Sequence, residues 1–156
     1  MALPPRVVES DADHTVASWH NVVVTRWVGK VQLPAMEVAF QLGKKLAEQH
    51  DRRVVSLTLV ENGLNIPGSD VRSRASEMVA AAADYMVLNT TVINGEGFWN
   101  SAARAAMTGI IMMSRDKTPH KVFSSVAQVA PVLAPHVDAS DVTADGVLRA
   151  IESLRQ

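Results

Sequence analysis

The chain has 156 residues, 47% hydrophobic and 20% charged, which is the size and balance of one globular domain and excludes a disordered chain. Its 15 Lys and Arg stand against 16 Asp and Glu for a net charge of -1, and the basic residues are scattered, so the footprint of a nucleic-acid binder is missing. It contains no cysteine, which removes disulfides, thiol nucleophiles and Cys-ligated zinc.

The start, Met1-Ala2-Leu3-Pro4-Pro5-Arg6, lacks the apolar core of a signal peptide. The longest apolar stretch, from Ala102 to Met113, is broken by Arg104 and Thr108 and is too short to span a bilayer. The expectation is a cytoplasmic protein without membrane insertion.

In chain order, Val7-Val8 and Val16 to Trp19 flank a turn-like Asp11-Ala12-Asp13 and are candidates to pair with the strand that begins at Val22. Val22-Val23-Val24 with Trp27-Val28, closed by Gly29, reads as that strand. Leu33 to Gln49 is a predicted helix with Pro34 in its first turn and Met36, Ala39, Phe40, Gly43, Leu46 and Ala47 on its inner face. Val54 to Val60 is mostly apolar and predicts a central strand.

Asn62-Gly63 and Pro67-Gly68 then mark a loop, and Ser69 or Asp70 is placed to cap a helix whose inner face is Val71, Ala75, Met78, Val79 and Ala82. Tyr85 to Ile93 is a strand, Asn94-Gly95-Glu96-Gly97 a loop, and Phe98 to Ser114 a third helix. Lys121-Val122-Phe123 is a short strand, followed by a helix that Ser124 caps and that Pro131 or Pro135 ends. Residues 134–141 read as a linker, and Thr143 to Leu154 as a terminal amphipathic helix, separable from a main domain over residues 1–133.

The predicted fold class is α/β, a mixed sheet of about five strands with helices mainly on one face, the strands at Val22 and Val54 being central.

No catalytic constellation stands out. The five histidines lack metal-ligand spacing, and no nucleophile elbow, phosphate loop or dinucleotide fingerprint is present, so no metal, no cofactor and no enzymatic activity are expected. The Asn94-Gly95-Glu96-Gly97 loop resembles an anion site in form, but Glu96 places a negative charge where an anion would sit, which favours a plain connection.

The third helix is the most informative stretch. Phe98, Ala102, Ala105, Ala106, Gly109, Ile110 and Met113 make one apolar face, taken as the core side. Trp99, Ala103, Met107 and Ile111, each four residues apart, make a second row. A helix covering a sheet needs one apolar side, so the second row must meet neighbouring helices of the same fold, a partner subunit or other protein, or an apolar ligand.

In the order of its elements the chain resembles the STAS superfamily, the domains of sulfate transporters and anti-sigma-factor antagonists, over about Arg6 to Leu133. More specifically it looks like the small stand-alone bacterial STAS-like type, which carries no assigned activity. The residues that carry the resemblance are Val24-Thr25-Arg26-Trp27-Val28-Gly29, Gly95-Glu96-Gly97-Phe98, Thr108-Gly109-Ile110 and Lys121-Val122-Phe123.

The resemblance implies a non-enzymatic regulatory or protein-interaction domain, acting as a homodimer or as the partner of another protein. In the antagonist branch a Ser opening the second helix is phosphorylated. Here that position reads Pro67-Gly68-Ser69-Asp70, without the family motif, which leaves Ser69 as the candidate regulatory serine. The alternative expectation is a small carrier or sensor of an apolar, lipid-like ligand.

Overall fold

A computed structural model describes residues 3–61, 66–95, 97–115 and 117–156, with Phe98 and Trp99 described by their backbone alone. Three antiparallel strands open the fold: β1 (Arg6–Ser10), β2 (His14–Trp19) and β3 (Val22–Trp27). The two residues between β2 and β3 turn tightly because His20 takes a positive φ of 53°, a region that His, Asn and Asp enter more readily than β-branched residues.

From β3 onward, helices and strands alternate: α1 (Leu33–Gln49), β4 (Val54–Val60), α2 (Ser69–Ala81), β5 (Met86–Ile93), α3 (Phe98–Ser114) and β6 (His120–Phe123). Strands β3 to β6 pair in parallel, and the six strands lie in strict chain order. Crossovers between parallel neighbours are right-handed, so three that step the same way put α1, α2 and α3 on one face. Then α4 (Val126–Leu133), a short 3-10 turn (Ala134–His136) and α5 (Ala144–Leu154) return along the other face.

The α/β class, the mixed sheet and the central position of β3 and β4 agree with the sequence reading. The sheet has six strands rather than about five because both early segments join it, and its helices divide three to two between the faces.

The α4/α5 face is an aliphatic interior. Val22, Val24, Val55, Leu57, Leu59, Leu88 and Val92 from the sheet meet Val129, Leu133, Val147, Ile151 and Leu154 in one buried cluster. The segment expected to be a linker and separable helix therefore belongs to the main core. Its polar sequence masks this: Val137 is buried, and the backbone around it is held by the buried Asn21. Asn21 Nδ2 donates to the carbonyls of Arg53 (2.8 Å) and His136 (3.0 Å), and its Oδ1 accepts from the Asp138 N–H.

Two further details differ from expectation. Ser125, not Ser124, caps α4, one residue later than predicted: its hydroxyl accepts from the Gln128 N–H, while Gln128 Oε1 accepts from the N–H of Ser124, the residue before the cap. Pro131 lies inside α4, which runs on to Leu133.

Candidate ligand cavity

Strand residues alternate between faces, and the face toward α1–α3 carries a different chemistry from its back. Val23, Thr25 and Trp27 of β3, Ser56, Thr58 and Val60 of β4, and Asn89, Thr91 and Ile93 of β5 look toward these helices. The parallel register lines them up in rows: Val23, Ser56, Asn89 and His120; Thr25, Thr58 and Thr91; Trp27, Val60 and Ile93. Polar side chains thus cross the middle of the sheet on this face, whereas the back is aliphatic at most central positions.

Between this floor and the helices lies a cavity of about 280 Å³. Its roof is apolar: Met36, Ala39, Phe40 and Gly43 from α1; Val71, Ala75, Met78 and Val79 from α2; Ala103, Ala106, Met107, Ile110 and Ile111 from α3. Two causes hold the roof off the sheet. Many of its residues are small, and α2 and α3 pack mainly on each other, with the single Ser76 hydroxyl proton shared between the Ile110 carbonyl at 3.0 Å and the Arg72 carbonyl at 3.2 Å. At one end α1 closes down, where Leu46 and Ala47 pack with Val23, Val54, Ala82 and Tyr85. Outside, Arg74 of α2 pairs with Glu37 of α1 at 2.7 Å, near the Phe40 ring.

The floor is incompletely hydrogen-bonded among the described residues. The Ser56 hydroxyl donates to Asn89 Oδ1 at 2.5 Å, and the Asn89 N–H groups meet no acceptor among them. Thr25 and Thr91 are each 7% exposed, and the hydroxyls of Thr25, Thr58 and Thr91 make no hydrogen bond to a described residue. Thr90, on the packed back of the same strand, donates to the Ser56 carbonyl at 2.7 Å. Among the described residues the threonine facing the filled side is paired and those facing the cavity are not.

Among the described residues no Lys, Arg, Asp or Glu lines the cavity, and the ionisable ones that do are Tyr85 and His120. Burial pushes the Tyr85 phenol above its ordinary range, with nearby Arg52 opposing, so it is neutral at physiological pH.

Of the row read from sequence on the third helix, Ala103, Met107 and Ile111 all line this cavity, and the Trp99 side chain lies outside the described residues. The face taken as the core side divides. Ala106 and Ile110 turn inward, while Ala105 is exposed and Met113 is 57% exposed. A helix apolar on nearly all sides gives no phase from which to choose. The inner faces predicted for α1 and α2 are the ones found, with Leu46 and Ala47 in the packed end.

Ser69 is the first residue of α2, exposed, and does not cap it; Gly68 holds the N-cap position, with extended backbone one residue earlier than expected. In the 94–97 loop Glu96 lies outside the described residues. Around it, Asn100 Nδ2 donates to the carbonyls of Ile93 and Gly95, both at 2.9 Å, and Gly97 takes a φ of 79°, as a strand-to-helix connection requires.

The residues that sequence reasoning missed are the floor. Their signal was polar residues at every second position of two strands, Ser56 and Thr58, then Asn89 and Thr91. Among the described residues no cluster of three or more His, Asp or Glu is arranged to hold a metal ion, and no helix is long and apolar enough to cross a membrane. Comparisons of the chain with protein-family models, curated proteins and solved structures find no match.

Proposed function

We propose that this protein is a non-enzymatic carrier or sensor of an apolar small molecule, held between the sheet and α1–α3 of a STAS-like scaffold. The observation that carries this reading is the contrast between the two faces of one sheet, the back filled with aliphatic side chains and the front set under an apolar roof around about 280 Å³. Covering an apolar roof of this kind with an apolar body is favourable at roughly 25 cal/mol per Å² removed from water. The roof itself offers water few of the two to four polar partners that an ordered water takes.

The scaffold assignment is supported by the leading antiparallel strands followed by helix–strand alternation in strict chain order. The absence of cysteine fits action in a reducing cytoplasm.

A second reading, regulation through protein contacts or a homodimer, is favoured by one surface. Met112 and Met113 are 73% and 57% exposed at the end of α3, and adaptable Met side chains suit binding surfaces. Ser69, exposed at the start of α2, belongs to this reading as its regulatory residue.

Native mass spectrometry of protein purified under mild conditions separates the two. A monomer with an additional small-molecule mass that denaturation removes supports the carrier. A ligand-free dimer supports the second reading and overturns the first.

A further inference from the structure

Building on the carrier reading, we infer that the ligand is uncharged and carries oxygen functions, seated with those groups on the Thr25–Thr58–Thr91 row and its apolar body against α1–α3. The row comes from the register: three threonines sit opposite one another on adjacent parallel strands. Neighbouring strands lie about 4.8 Å apart, so the three hydroxyls span roughly 10 Å. Each hydroxyl can donate one hydrogen bond and accept others, so the row serves carbonyls, ethers and alcohols alike.

Two of these threonines are more than nine-tenths buried, and none of the three hydroxyls has a partner among the described residues. None of the three oxygens is sealed inside the protein; they open onto the cavity. There they offer hydrogen-bonding capacity to whatever occupies it, which valine, of nearly the same shape, would not. The Asn89 amide, one row away and held by Ser56, adds N–H donors beside them.

The charge of the ligand follows from what the lining lacks. Among the described residues no Lys, Arg, Asp or Glu lines the cavity and His120 is the one basic side chain, so a carboxylate, phosphate or ammonium group would be desolvated with little compensating charge. The structure therefore favours a neutral molecule whose oxygens meet the sheet, over a fatty acid or a phospholipid headgroup. Sites built to hydrogen-bond a hydroxyl discriminate strongly against analogues that lack it, because their own polar groups are then left unpaired.

The test uses three probes with one carbon body: naphthalene, 2-naphthol and 2-naphthoate, titrated into the full chain at neutral pH and followed by calorimetry and NMR. The expected result is 2-naphthol binding about ten-fold tighter than naphthalene, the worth of one or two good hydrogen bonds, with 2-naphthoate weakest. Thr58→Val should bring 2-naphthol down to the affinity of naphthalene and leave naphthalene unchanged. Thr25→Val is the second variant should the first fail to fold.

Equal binding of naphthalene and 2-naphthol, or tightest binding of 2-naphthoate, overturns the inferred ligand class while the cavity reading stands. Failure of all three probes to bind overturns the cavity reading itself.

Discussion

The backbone N–H of Asp138 donates to the side-chain oxygen of Asn21 over 2.7 Å, joining two residues 117 positions apart. Asn21 is 1% exposed and also donates to Arg53 and His136, so one side chain ties the β2–β3 turn, the start of β4 and the chain leading into α5. Asn21→Ala leaves buried backbone groups unpaired at ~1–3 kcal/mol each where water does not replace the amide. The expected loss is about 2–4 kcal/mol in urea unfolding. A loss below about 0.5 kcal/mol would show that water takes over these bonds.

Truncation after Val142 should abolish cooperative unfolding. It removes α5, whose Val147, Ile151 and Leu154 are buried in the main cluster, and Arg155, which pairs with Glu61 at 3.3 Å. Burial of three such side chains is worth roughly 5–9 kcal/mol, comparable with a domain's net stability. A truncated chain with a sharp thermal transition and native-like near-UV circular dichroism would restore the view of α5 as an accessory.

Ala106→Leu separates a cavity from ordinary packing. Ala106 lines the roof, and leucine sustains the helix. In a close-packed interior the added carbons cost ~1–3 kcal/mol. In a cavity they fill space, and the expected change is a gain of ~0.5–2 kcal/mol together with a loss of probe affinity. Destabilisation without any change in binding contradicts the account.

Stability should fall as the solution is acidified through the ordinary imidazole value of 6.5, with His20 contributing. Burial holds its folded-state pKa below that value, nearby His50 lowers it further, and Asp138 opposes them. The folded state therefore binds fewer protons than the unfolded chain as pH drops below 6.5, so this contribution is present above that value and lost beneath it. Asn tolerates the positive φ at this turn, so His20→Asn should flatten the difference between urea midpoints at about pH 7.5 and about pH 5.5. An unchanged difference would assign the slope to other groups.

Much of the fold was legible in the sequence because its elements are strongly patterned. Leu33–Gln49 and Phe98–Ser114 have the predicted bounds, and the inner faces of α1 and α2 follow their helical periodicity. Periodicity names the side of a helix that turns inward but not its distance from the sheet, so the gap under Met36, Ala75 and Met107 left no trace there. The threonine row was hidden for another reason. Thr25, Thr58 and Thr91 lie more than thirty positions apart, and only the strand register reveals that they are neighbours. The stripe of Val147, Ile151 and Leu154 was legible in the 134–156 segment, but not the sheet face it packs on, nor the Asn21 bonds to His136 and Asp138 that tie the chain before it to a turn far away in sequence.

The most direct test of the cavity uses methionine methyl NMR, because Met36, Met78, Met86 and Met107 line it while Met112 and Met113 stand exposed on α3. On titration with naphthalene and 2-naphthol in turn, the account predicts that the four cavity methyl signals shift together and saturably, while those of Met112 and Met113 stay in place. Stationary cavity signals, or shifts confined to Met112 and Met113, would contradict it.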